Sequence, residues 1–237
     1  MRVIAKLDIK NQNLIKSVRY DGVKIIGDPY LMARKLYQKK IDEIFLVNIT
    51  GTLYDYNNFK KMFALICESV FIPVTIGGGI KSLEDCESYF SLGADKISLN
   101  SILFEKPELL KNLASIYGSQ SVTVTVQAKY INNDWFAFKD MGRENTGIKV
   151  KDWVHRSIEE GAGEIILISV DDDGLCRGLN YQLLKSVGKI KVPLILSGGF
   201  NHEIDTVLLG MQQIEGICIS NYFYKNEIDI KKIKNLV

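Results

Sequence analysis

The chain repeats itself. Phe71-Ile72-Pro73-Val74-Thr75-Ile76-Gly77-Gly78-Gly79 returns about half a chain later as Lys191-Val192-Pro193-Leu194-Ile195-Leu196-Ser197-Gly198-Gly199. Self-similarity at a fixed offset marks a duplicated architecture. Each copy is a β-branched run entered through proline and left through glycines, which reads as a strand followed by a turn. Comparable runs span Val3 to Asp8, Glu43 to Asn48, Pro73 to Ile76, Lys96 to Leu99, Val122 to Gln127, Glu164 to Ser169, Pro193 to Leu196 and Gly216 to Ser220. Some, such as Ile165-Ile166-Leu167-Ile168, are apolar without alternation, as expected of strands covered on both faces in a parallel sheet.

Helical patterns lie between the runs. Asp28-Pro29 is an N-cap followed by proline, and Tyr30 to Lys40 continues it. Ser82-Leu83-Glu84-Asp85 is a capping-box pattern. Lys106-Pro107-Glu108 opens another helix, and Val150 to Glu160 forms one that Gly161 ends. Eight strands alternating with helices in 237 residues predict one domain over residues 1–237, a closed (βα)8 TIM barrel built from two duplicated halves. An open doubly wound sheet would carry its glycine-rich phosphate loop after the first strand, where this chain has no such glycines. Asn11 to Gly27 and Tyr130 to Gly147 are expected to be long loops on the face where barrel chemistry resides.

Composition narrows the function classes. The 30 basic and 28 acidic residues leave a formal charge of +2, so any anion site is local and nucleic acid is not an expected partner. Cys67, Cys86, Cys176 and Cys218 form no CxxC pair, so neither a zinc nor a thioredoxin-like site is expected; Asp171 to Asp173 could meet a divalent metal but lack the further spaced ligands of an EF-hand loop, and the expectation is no metal and no cofactor. No run approaches the roughly 20 apolar residues of a membrane span, and the opening Met1-to-Asp8 segment is too short for a signal-peptide core. The expectation is a cytoplasmic protein with reduced thiols.

The glycine clusters suggest two phosphate sites. Glycines at a strand's carboxyl end let backbone N–H groups approach an anion, with the following helix aiming its positive end there. Gly78 and Gly79 form one candidate cradle; Ser197, Gly198 and Gly199 form the other. Asn100-Ser101 and Ser220-Asn221, after the fourth and eighth strands, add amide and hydroxyl groups beside them. Asp8 ends the first strand, a position that reads as catalytic in barrels. Asp171-Asp172-Asp173-Gly174 follows the sixth strand, and Asp172 is expected to lie in an exposed turn. Lys16 falls in the first long segment, where a solvated lysine is the ordinary outcome. Trp135 and Phe136, in the second long segment, either cover a ligand or form a small hydrophobic cluster of their own. His155 and His202 read as structural.

With these residues in view, the chain resembles the cyclase subunits of imidazole glycerol phosphate synthases from Arg2 to about Tyr224. The likeness is carried by Leu7-Asp8-Ile9-Lys10, Gly27-Asp28-Pro29, Ile72 to Ile80, Gly93 to Ser98, Tyr117-Gly118-Ser119-Gln120, Gly161 to Ile165, Asp171 to Gly174 and Ser197-Gly198-Gly199. The resemblance implies a (βα)8 barrel that binds a substrate with two terminal phosphates, a ribulosyl-formimino aminoimidazole carboxamide. It also implies a glutaminase subunit docked under the barrel as heterodimer partner. Ammonia would cross the core, add to the substrate and yield imidazole glycerol phosphate and an aminoimidazole carboxamide ribotide, a step of histidine biosynthesis. Asp8 would be a catalytic acid/base, Lys16 a substrate-holding residue and Asp173 an acid on the opposite side. Gly79, Asn100, Gly199, Ser220 and Asn221 would hold phosphates, with Thr146 and Gly147 beside the mouth. Arg2, Glu43, Lys96 and Glu164 match the family's ammonia gate, and Asp95 and Gln120 its glutaminase-facing side. Independently, all four gate residues begin predicted strands, so two acids and two bases share one end of the barrel.

The upper face departs from the pattern. The family's second catalytic aspartate, at the end of the fifth strand, is Gln127 here, and a glutamine amide exchanges no proton near neutral pH. Asn48 stands for an aspartate and Leu175 for a threonine. Three readings stay open: a synthase subunit in which Asp8 and Asp173 share the work, a cyclase-like paralogue passing ammonia to an amino sugar of a surface glycan, and a non-catalytic scaffold that activates a glutaminase.

Overall fold

The computed structural model describes residues 1–49, 56–205, 214–225 and 230–234. In chain order the elements are β1 (Arg2–Lys10), β2 (Asn13–Val18), β3 (Asp21–Gly27), α1 (Pro29–Gln38), β4 (Glu43–Asn48), α2 (Tyr56–Ser69), β5 (Val74–Gly77), α3 (Leu83–Ser91) and β6 (Lys96–Leu99). There follow α4 (Glu108–Tyr117), β7 (Val122–Ile131), β8 (Asp134–Lys139), β9 (Glu144–Lys149), α5 (Val150–Glu159), β10 (Glu164–Ser169), α6 (Tyr181–Val187), β11 (Leu194–Ser197), β12 (Gly216–Ile219), α7 (Tyr222–Lys225) and α8 (Ile230–Lys234). Strands β1, β4, β5, β6, β7, β10, β11 and β12 pair in parallel in that order, and β12 returns to β1, closing the barrel.

Helix starts follow their local chemistry. The Asp28 carboxylate accepts the Leu31 N–H at 2.9 Å with Pro29 in the first turn, and the Ser82 hydroxyl accepts the Asp85 N–H. Strand periodicity then sorts side chains into two cores. Val3, Ala5, Leu7, Ile44, Leu46, Ile165 and Leu167 face outward against the helices; Ile4, Phe45, Ile166, Ile168, Ile195 and Cys218 fill the lumen.

The two expected long loops are instead β-hairpins. β2 and β3 extend the top of β1 antiparallel, and β8 and β9 extend β7 in the same way. Four turns make this possible: Asn11-Gln12, Arg19-Tyr20, Asn132-Asn133 and Asp140-Met141 all adopt positive φ. Two successive left-handed residues give the turn whose twist matches a hairpin. The duplication therefore includes the hairpins, since each half begins with a long strand carrying two more. Trp135 does not cover a ligand: it is buried in the main outer core, tilted against Tyr130 at 5.1 Å, and Phe136 is half-buried in β8.

A charged ring below and an anion-lined mouth above

At the lower end of the lumen, Arg2, Glu43, Lys96 and Glu164 close into a ring. Arg2 meets Glu43 at 3.0 Å and also binds Glu164; Lys96 Nζ lies 2.8 Å from Glu43 and 3.0 Å from Glu164. Thr75 donates to Glu43 at 2.7 Å and Thr123 to Glu164 at 3.2 Å. The Glu43 side chain is 1% exposed, so this is no solvated surface network. Buried pairs add little net stability but are costly to break singly. For Arg2, burial alone lowers proton affinity; hydrogen bonds and charges from Glu164 and Glu43 outweigh it and raise the guanidinium. Asp95, exposed at the start of β6, caps the Val74 N–H at 2.7 Å, and Gln120 is exposed beside Tyr117.

Lys6 is the feature that sequence reading missed. Arg2, Ile4, Lys6 and Asp8 share the inward face of β1, so Lys6 sits inside the barrel, 3% exposed. Its ammonium lies 3.1 and 3.2 Å from the two Asp8 carboxylate oxygens and 5.0 Å from the centre of the Tyr20 ring. Burial alone would lower this lysine; the Asp8 carboxylate, with Tyr20 and Asp173 behind it, instead pushes it well above the usual range. Asp173, in the loop after β10, is buried, and desolvation raises its carboxyl against the opposing pull of Lys6. Lys16 is half-buried beside these groups rather than solvated, and desolvation lowers it to about 8. Gln127 is buried, its Oε1 accepting the Gly142 N–H at 2.7 Å.

Asp172 is not an exposed acid: it accepts from Ser169 at 2.5 Å and Asn180 at 2.7 Å, fixing the loop after β10. That loop is latched to the first hairpin, where Arg19 donates its N–H to the Asp173 carbonyl at 2.9 Å and its Nε–H to the Asp171 carbonyl at 2.8 Å.

The glycine clusters occupy matching places in the two halves. Gly78 has φ +85°, and a Cβ there would lie 2.1 Å from the Asn48 carbonyl; Gly198 has φ +93°, with a Cβ 2.3 Å from the Ser169 carbonyl. Each approaches the end of the preceding barrel strand so closely that only glycine fits. Around the first cluster opens a cavity of about 580 Å³, lined by Gly78, Gly79, Asn100, Ser101, Gln127 and Asp8, with Lys81, Lys106 and Arg143 adding positive charge. Around Ser197, Gly198, Gly199, Ser220, Asn221 and Asp173 only about 10 Å³ is open. Gly178 donates to the Gly199 carbonyl at 2.8 Å and Asn221 donates to the Gly174 carbonyl, so the loop after β10 lies over that cluster. Thr146 and Gly147 line neither cavity: the Thr146 hydroxyl donates to the Ala137 carbonyl inside the second hairpin. His155 is exposed on α5 and His202 is half-buried after the second cluster.

Comparison with known proteins gives the chain's family. A family model described as "Histidine biosynthesis protein" matches residues 2–229. "Imidazole glycerol phosphate synthase subunit HisF" of Legionella pneumophila is 39% identical over 201 residues, covering 84% of this chain and 95% of the relative. The proteins of that name from Metallosphaera sedula (37% over 237 residues, covering 99% of this chain and 94% of the relative) and Natranaerobius thermophilus (34% over 236, also 99% and 94%) match nearly end to end. No helix among the described residues is long and apolar enough to cross a membrane. A closed barrel with a charged ring at one end, acids at the other and matched glycine cradles thus belongs to the histidine biosynthesis protein family.

Proposed function

We propose that this chain is the cyclase subunit of an imidazole glycerol phosphate synthase, working as one domain in the cytoplasm. The observation that carries the reading is the ion-pair ring of Arg2, Glu43, Lys96 and Glu164, with both glutamates buried, at one end of a lumen whose other end holds Asp8 and Asp173. Such a ring suits a guarded entrance for a small neutral molecule better than a fold-stabilising device, because buried ion pairs contribute little net stability. A glutaminase subunit under the barrel, against Asp95 and Gln120, supplies ammonia. The substrate lies across the mouth with one phosphate on Gly78, Gly79, Asn100 and Ser101 and the other on Ser197, Gly198, Gly199, Ser220 and Asn221, where the loop after β10 has to shift because only about 10 Å³ is open, while Thr146 and Gly147 support the second hairpin beside it. Free thiols at Cys67, Cys86, Cys176 and Cys218 suit a reducing compartment.

Overall, the bisphosphorylated substrate and ammonia give imidazole glycerol phosphate, aminoimidazole carboxamide ribotide and water. Ammonia nitrogen bonds to the ribulosyl carbonyl carbon, a proton leaves that nitrogen, and the carbonyl oxygen takes up protons and departs as water. The same nitrogen then bonds to the formimino carbon while that carbon's bond to the ribotide amine breaks. The departing amine takes the bond's electron pair, one proton from the neighbouring methylene carbon and one from a ring nitrogen, and the surplus nitrogen proton returns to Asp173. Asp8 accepts the proton and Asp173, whose carboxyl burial raises, donates one. Gln127, held by Gly142, orients substrate without exchanging protons. The test is purified protein, the bisphosphate substrate and ammonium salt, with product followed by mass spectrometry. Imidazole glycerol phosphate should appear. No product with ammonium and none with a glutaminase present would overturn the reading and leave the lumen serving a different acceptor.

A further inference from the structure

We propose that Lys6 is a positioning residue that fixes the division of labour at the mouth, holding Asp8 as the proton acceptor and leaving Asp173 as the donor. This rests on the cyclase reading above. Lys6 stands on the inward face of β1, one step below Asp8 on the side from which ammonia arrives, and it lines the same cavity. Its Nζ is within 3.2 Å of both Asp8 oxygens, and this ion pair forms only with the carboxylate form. Asp173 makes no such contact; its nearest cations act on it through space against a larger desolvation effect.

Asp8 lines the open cavity and Asp173 the nearly closed one beside it, the Asp8 charge acts on Asp173 between them, and catalysis needs their roles separated. In this chain the fifth strand offers only the Gln127 amide, so the separation has to come from elsewhere. The charged and titratable groups around Lys6 are few. Asp8 lies on its own strand, Lys16 on β2, Tyr20 in the hairpin turn, Asp173 after β10 and Cys218 on β12, while the Tyr224 hydroxyl donates to the Lys6 backbone carbonyl at 3.2 Å. Burial pushes the Tyr20, Tyr224 and Cys218 protons upward, so these three stay neutral near pH 7. Among the described residues, Lys6 is therefore the one cation in direct contact with Asp8, and nothing else there distinguishes the two acids by contact.

The test uses Lys6→Met and Lys6→Arg in the full chain, with ammonium salt as nitrogen donor. Lys6→Met should lower kcat about 100-fold, leave KM within about threefold, and move the acidic limb of the pH profile upward by about 1 to 3 pH units. Lys6→Arg should restore the wild-type limb. A Lys6→Met protein with the wild-type limb, or a Lys6→Arg protein with the shifted one, overturns the proposal. Thermal melts of Lys6→Met, Asp8→Asn and the double variant give a readout independent of turnover and of any single variant's weak folding. The double variant should melt at least about 5 °C above the additive expectation, because it removes both buried charges together. Additive melts overturn the pairing. A wild-type protein with no turnover under any condition, yet with coupled melts, would point to failure of the cyclase reading rather than of the Lys6–Asp8 pairing.

Discussion

The two ends of the lumen handle buried charge in opposite ways. Below, each carboxylate touches two cations and a threonine hydroxyl, and the ring is complete without any other molecule. Above, among the described residues, Asp8 has Lys6 alone as a cation, Asp173 has no ion-pair contact, and the Asn100 Oδ1 atom is buried without a hydrogen-bond partner. Buried polar groups are ordinarily satisfied, so incompleteness marks where something else is meant to sit.

The sharpest way to break this contrast is Asp8→Asn. If the mouth does proton chemistry, ammonium-driven turnover should fall about 1,000-fold while the far-UV circular dichroism is kept. Retained turnover would make the upper acids ornamental. The converse test is Glu43→Ala, which removes a buried carboxylate and leaves Lys96 and Arg2 each short of a partner. It should cost about 3 to 5 kcal/mol in urea unfolding, and a cost under about 1 kcal/mol would show the lower ring to be slack.

A smaller effect comes from Lys16, whose ammonium titrates at about 8. It is charged below that value and helps hold an anionic substrate; above it the charge is lost. KM should therefore rise about tenfold between pH 7 and 9, and Lys16→Met should flatten that rise. The stability effect has the opposite sign. Between about 8 and the unfolded value of 10.5 the unfolded chain binds more protons, so this group's contribution to stability grows with pH. The smallest change is expected from Gln127→Ala, within about tenfold in kcat, because an amide that exchanges no proton supplies orientation only. A loss beyond 100-fold, on the scale of general acid–base catalysis, would return a chemical role to the fifth strand.

Much of this was readable in the residues, and the exceptions have physical causes. The eight barrel strands stand out as short β-branched or apolar runs between helix and turn signals, and several are apolar on both faces. The ring was legible because charges at the first position of buried strands have few alternatives to each other. The hairpins were not: β3 is exposed along its whole length and shows no alternation. Asn132-Asn133 could have signalled one turn, whereas Arg19-Tyr20 carries no left-handed preference. Lys6 was hidden by its apolar neighbours, although strand parity from Arg2 to Asp8 already places it inside. Asp172 reads as a turn acid until the Ser169 and Asn180 contacts appear, since both come from outside the acidic run.

The matched hairpins carry a historical consequence. Each half of the molecule places its extra pair of strands at the same point, directly after its first barrel strand. A flap acquired after the halves were joined would have had to arise twice at one address. The simpler ancestry is a single gene, half this size, that already wore its flap before it was copied end to end.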